Sequence, residues 1–125
     1  MTTFYGLYDR HHSFRGNPNF DLPPRYIEGI GKLDLTTPMN FVSTLDVVGG
    51  SSGSPVVNKA GELVGLVFDG NIESLVGSYV YDIAKNRTVA VDCRAMMEAL
   101  VKLYDASDIA GELLGKGALG ESLGK

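Results

Sequence analysis

The residues best able to do chemistry in this chain lie in the run Val47-Val48-Gly49-Gly50-Ser51-Ser52-Gly53-Ser54-Pro55-Val56-Val57, with Asp69-Gly70-Asn71 a short distance beyond. A serine between glycines suits acyl transfer. That reaction needs a hydroxyl projecting from a sharp turn and backbone N–H groups aimed at the oxyanion that forms. Glycines on both sides of Ser52 permit such a turn and leave room for a substrate carbonyl, with the Gly50 and Ser52 amides as the donors. Ser51 and Ser54 read as turn residues bonded to backbone. Two other readings compete for the same run. A flexible linker is polar for some distance on both sides, whereas here the pairs Val47-Val48 and Val56-Val57 close on the glycines. A phosphate-binding loop needs a lysine after its glycines and a helix beginning there, and the sequence offers neither.

These residues must be positioned by a small framework. With 125 residues, 44% hydrophobic and 21% charged, the chain has the size of one domain or part of a larger one and the apolar content for a packed core. A net charge of -4 gives nucleic acid no electrostatic reason to bind. No apolar run reaches the roughly 18 residues of a membrane-spanning helix, so no membrane partner is expected. The opening MTTFYGLYDRHH lacks the apolar centre of a signal peptide. Cys93 is the one cysteine, which rules out an internal disulfide or a multi-cysteine metal site. It stands near a helix start, where a thiol can be activated, but reads as a small buried residue.

Along the chain, residues 1–8 suggest a short strand from their aromatic and β-branched content, followed by an irregular arm, punctuated by proline and glycine, to about residue 40. From Phe41 short apolar runs bounded by turns predict a β-rich unit over 41–92, with strands at 41–48, 55–58, 62–69, 78–83 and 87–92. Asn58 to Gly61 is a hairpin loop. The run Glu62-Leu63-Val64-Gly65-Leu66-Val67-Phe68-Asp69 reads as buried on both faces, with Gly65 marking a bend or close backbone contact. After Asp92, a plausible N-cap, the period changes to that of a helix. Met96, Leu100 and Leu103 share one face, and Glu98 and Lys102 form an outward pair. A weaker helix runs from Ser107 to Leu114, so residues 93–114 form a helical unit, and 115–125 read as a flexible tail.

The runs GGSSGSPVVN, GELVGLVFDGN and NRTVAVD, in that order before a helix, resemble the C-terminal part of the bacterial serine dipeptidyl-peptidases of the dipeptidyl-peptidase 7 and 11 type. The resemblance extends from about Phe4 to Leu114 and is strongest from Asn40 to Asp92. It implies a mainly β fold, the second barrel of a chymotrypsin-like double barrel followed by a C-terminal helix. It also implies an exopeptidase that removes dipeptides from a free N-terminus, with Ser52 as nucleophile. By the same resemblance Asp69 helps hold the substrate's N-terminal ammonium, a natural role for a carboxylate ending an apolar strand. The family carries glycine or arginine at the next position. Gly70 here implies an uncharged pocket for hydrophobic residues before the cut, where arginine would select acidic ones. Asn71 and Glu73 read as structural. No metal or organic cofactor is implied. The parent is expected in the periplasm or outside the cell, and a homodimer is compatible with the resemblance.

A serine nucleophile needs a base and an orienting carboxylate. The histidines are His11 and His12, with Asp21, Asp34 and Asp46 between them and Ser52, but the family draws its histidine and aspartate from a first barrel that the 51 residues before Ser52 do not hold. The missing N-terminal part of the same enzyme is therefore an expected partner, and the isolated chain is expected to be inactive. Ser51 also departs from the family, which usually has asparagine there. Two rival readings are a glutamyl-type serine endopeptidase fragment and a non-catalytic β-domain that packs on a partner.

Overall fold

The computed structural model describes residues 1–77 and 79–115. In chain order the helices are α1 (Phe4–Ser13), α2 (Pro24–Gly29), α3 (Ser74–Gly77), α4 (Cys93–Lys102) and α5 (Ser107–Leu113), and the strands are β1 (Asn40–Ser43), β2 (Pro55–Val57), β3 (Leu63–Gly70) and β4 (Thr88–Asp92). The strands form one antiparallel sheet in the order β1-β4-β3-β2. Asn58 shapes the β2–β3 hairpin, its Oδ1 accepting the Ala60 and Glu62 amides at 2.9 and 3.0 Å. Val56, Val67 and Ala90 are buried in the sheet core, with Phe41, Val47 and Val64 packed on them.

The expected β unit is present as a small four-stranded antiparallel sheet with helices around it, and it is not a closed barrel. β1 and β2 are both edges, and among the described residues no strand pairs across to join them. An open sheet also leaves β3 less covered than its apolar run suggests. Gly65 and Val67 are buried, whereas Leu63 and Phe68 are about half exposed. Gly65 does mark a close contact. A Cβ there would stand 2.5 Å from the Val91 carbonyl oxygen and 2.6 Å from the Phe41 ring. Gly65→Ala must push the central strands apart, with an expected loss of about 1–3 kcal/mol. The check is a lower urea midpoint at unchanged slope.

Residues 1–8 are not a strand. Thr3 caps α1, with its hydroxyl 3.5 Å from the Gly6 amide, and Phe4, Leu7 and Tyr8 recur at helical spacing on one face. The arm that follows is ordered by α2 and two short 3-10 turns, Pro18–Phe20 and Ile30–Lys32. Its apolar residues Leu22, Tyr26, Ile30, Leu33 and Leu35 join Phe4 and Tyr8 in a second core against α4. The α4 face in that core carries Ala95, Ala99 and Leu103 in place of the expected Met96 and Leu100. Small alanines there leave space for the rings of α1. Glu98 and Lys102 pair at 2.7 Å, and Glu98 also accepts the Asp34 amide, so it is more than an outward charge.

Two other strand expectations change. The run 41–48 stops being a strand at Ser43, because its register partner there is Thr88, where β4 begins. Beyond that point Thr88 Oγ1 donates to the Leu45 carbonyl at 2.6 Å. No strand occupies 79–83. Asp82 folds the chain back by accepting the Ala84 amide on its side chain and the Lys85 and Asn86 amides on its carbonyl. Ser78, and the expected tail beyond Gly115, lie outside the described residues.

The β4–α4 junction is held by Asp92, whose buried carboxylate accepts the Arg94 amide at 2.9 Å and the Arg94 guanidinium at 2.9 and 2.7 Å. The hydrogen bonds from the Arg94 side chain, joined by its backbone amide, hold this carboxyl below the ordinary carboxylate range against the opposing effect of burial. Because the folded-state value is depressed, the stabilisation is complete above the ordinary carboxylate range and disappears as pH falls through the lowered value. Asp92→Ala is expected to cost about 1–2 kcal/mol at neutral pH. Denaturation curves of the two proteins should converge in strong acid.

A candidate active-site cleft between the serine turn and strand β3

The turn at residues 48–54 is built from short backbone bonds. Ser51 N–H donates to the Val48 carbonyl at 3.0 Å, Ser54 N–H to the Ser51 carbonyl at 3.0 Å, and Ser51 Oγ accepts the Val48 amide at 3.2 Å. Gly53 N–H and the Ser54 carbonyl then bond to Val67 of β3 at 2.7 and 2.9 Å, which locks the turn against the strand. Gly50 and Gly53 take φ of 96° and 85°, values an L side chain would strain, so the reversal requires glycine at both places. Between these anchors Ser52 is exposed. Among the described residues its hydroxyl makes no hydrogen bond, and the Gly50 and Ser52 amides donate to no backbone or side-chain acceptor. The neighbouring Ser51, Gly53 and Ser54 amides are all engaged, whereas the Gly49, Gly50 and Ser52 amides are free among the described residues.

Strand β3 supplies the facing wall. Its register with β4 slips between Val67 and Asp69, leaving Phe68 as the extra residue of a bulge. A bulge re-aims the side chains that follow it. Asp69 comes next, exposed, with Oδ1 accepting the Gly70 amide at 2.8 Å. A Cβ on Gly70 would meet the Ser74 hydroxyl, so a side chain there requires that hydroxyl to move. Gly50, Ser52, Asp69 and Gly70 line one cleft of about 470 Å³. Its other walls include Val47, Val48, Phe68, Ile72 and Leu75, and Asp69 is the one ionisable side chain among the described residues that line it.

Neither histidine lines this cleft. Both belong to α1, and His11 Nδ1 lies 2.9 Å from the Phe20 carbonyl. Cys93 lines a separate pocket with Met1 and Phe41, and burial, then the Asp92 charge, pushes its thiol up, away from nucleophilic reactivity at neutral pH. Two features of the cleft escaped the sequence, the Phe68 bulge and the contact of Ser74 with Gly70. The spacing of Asn71 and Ser74 was a signal for a turn starting a helix, since the Asn71 carbonyl accepts the Ser74 hydroxyl at 2.6 Å.

A sequence profile of the family described as Peptidase S46 matches residues 1–115. The chain belongs to that family. Among curated S46 relatives, Dipeptidyl-peptidase 7 of Capnocytophaga gingivalis is 35% identical over 120 residues, covering 90% of this chain and 16% of its own length. The Asp/Glu-specific dipeptidyl-peptidase of Shewanella putrefaciens is 40% identical over 78 residues, covering 62% of this chain and 11% of its own. The crystal structure of Porphyromonas endodontalis DPP11 in complex with the dipeptide Arg-Asp superposes with a TM-score of 0.77 at 28% identity, over 90% of this chain and 17% of that one. This S46 chain thus spans about one-sixth or less of the length of these curated relatives.

Proposed function

We propose that this chain is the serine-bearing C-terminal segment of a dipeptidyl peptidase that releases dipeptides from free peptide N-termini. The observation that carries the reading is the meeting, in one cleft, of an unbonded Ser52 hydroxyl, free backbone amides that include those of Gly50 and Ser52, and a lone carboxylate. Ser52 Oγ attacks the carbonyl of the substrate's second residue, and the Gly50 and Ser52 amides receive the oxyanion. Asp69 takes the N-terminal ammonium and so measures the cut from the peptide's end. The base and its orienting carboxylate come from the remainder of a longer protein, and the chain alone hydrolyses nothing at a useful rate.

The side-chain preference belongs to the same proposal. Among the described residues no cation lines the cleft, and Val47, Val48, Phe68, Ile72 and Leu75 do, which suits a hydrophobic residue before the cut. The relatives' names do not choose between preferences, since some are called Dipeptidyl-peptidase 7 and others Asp/Glu-specific. Peptides with free and acetylated N-termini, presented to a longer protein carrying this segment, test the reading. Cleavage of the free peptides alone supports it. Equal cleavage of both favours an endopeptidase, and cleavage of neither a non-catalytic domain.

A further inference from the structure

We propose that Asn71 is a positioning residue for substrate selectivity, holding the 72–86 segment so that its first turn forms a fixed wall beside Gly70. The inference rests on the peptidase reading above and deepens it. The described residues of the 72–86 segment have little apolar packing of their own. Ile72, Leu75, Val76, Tyr79, Val80 and Ile83 are 63–89% exposed. Polar bonds therefore decide where the segment sits. The Arg87 guanidinium donates to the Ile83, Ala84 and Asn86 carbonyls and the Tyr81 hydroxyl to the Thr44 carbonyl, while Asn71 makes bonds at both ends of the segment and ties them together.

At the far end, Asn71 Oδ1 accepts the Arg87 amide at 2.8 Å, Nδ2 donates to the Lys85 carbonyl at 2.8 Å, and the Asn71 amide donates to the Arg87 carbonyl at 2.9 Å. At the near end, Nδ2 donates to Glu73 Oε2 at 2.7 Å, and the Asn71 carbonyl accepts the Ser74 hydroxyl and amide at 2.6 and 3.0 Å. The Ser74 hydroxyl, fixed in this way, is the atom pressed against Gly70. Asn71, Ile72, Ser74 and Leu75 line the cleft on this side, while the serine turn is anchored separately through Val67. Loosening Asn71 should thus alter the shape of the side-chain pocket and leave the Ser52 turn intact. No shorter side chain reaches both ends of the segment. Aspartate keeps the acceptor for Arg87 but forfeits both donated bonds and sets a second carboxylate beside Glu73.

The test uses a longer protein carrying this segment, in wild-type, Asn71→Ala and Asn71→Asp forms. Dipeptide substrates with a bulky apolar second residue are compared with alanine-bearing ones, and Ser52 modification by a small fluorophosphonate is timed. Both variants should modify Ser52 within about twofold of wild type. KM for the bulky substrate should rise about tenfold with kcat little changed, and the alanine substrate should scarcely respond, as expected when a wall moves and the reacting groups do not. Equal losses on both substrates, or unchanged selectivity, overturn the inference while leaving the peptidase reading in place. A wild-type protein that does not react at Ser52 overturns the peptidase reading, and this inference with it. Should Asn71→Ala fail to fold, Asn71→Asp, which retains the Arg87 bond, decides.

Discussion

Ser52→Ala, made in a longer protein carrying this segment, should abolish fluorophosphonate labelling and lower peptidase kcat/KM by about 10⁴–10⁶-fold, the range for loss of an activated serine. The same substitution should leave stability within about 0.5 kcal/mol of wild type. Both halves follow from one local structure. The Ser52 side chain is exposed and its hydroxyl has no hydrogen-bond partner among the described residues, so its removal strands no buried group. The turn around it is held by the Val48–Ser51, Ser51–Ser54 and Val67 bonds, none of which uses Ser52. A serine retained for packing would behave the other way, losing stability before reactivity. Persistent labelling of the alanine variant would move the nucleophile elsewhere, and a large fall in Tm would make Ser52 a structural residue.

What the sequence made legible was chemistry that acts over short stretches. The β2–β3 hairpin follows from Asn58 and its neighbours, and the start of α4 from Asp92, because both are bonds between residues a few positions apart. The cleft residues were similarly local, since glycines flanking Ser52 and an aspartate ending an apolar run can be read directly. Helix α1 was hidden for a different reason. Phe4, Tyr5 and Tyr8 carry β propensity, and what makes that stretch helical is burial of Phe4 and Tyr8 against Ala95 and Ala99, far away in sequence. Residues 79–83 alternate as a strand should, yet a strand needs a neighbour, and Asp82 turns the chain before one is met. The bulge at Phe68 is a property of register between β3 and β4, which no single strand encodes. Closure of a barrel was a family expectation, and strand pairing limits it here to an open sheet.

Asp69→Asn should erase the preference for free N-termini. The substitution is close to isosteric, and an amide oxygen can still accept the Gly70 N–H now held by Oδ1, so the bulged end of β3 keeps its bond. Only the charge goes. Asp69 is the one ionisable side chain among the described residues lining the cleft, so no other group there takes over an ammonium. Losing one partner of a charge-assisted pair in a recognition site typically costs about 2–5 kcal/mol, which corresponds to about 30- to 5000-fold in kcat/KM for free peptides. Fluorophosphonate labelling of Ser52 should be preserved, because the reagent carries no amine and the serine turn is anchored through Val67. Acetylated peptides, poor substrates from the start, should neither gain nor lose by more than a few fold. The ratio between the two substrate classes is therefore the informative quantity. A ratio that stays high in the variant would mean that the ammonium is held by groups outside this chain and that Asp69 only shapes the turn into Gly70.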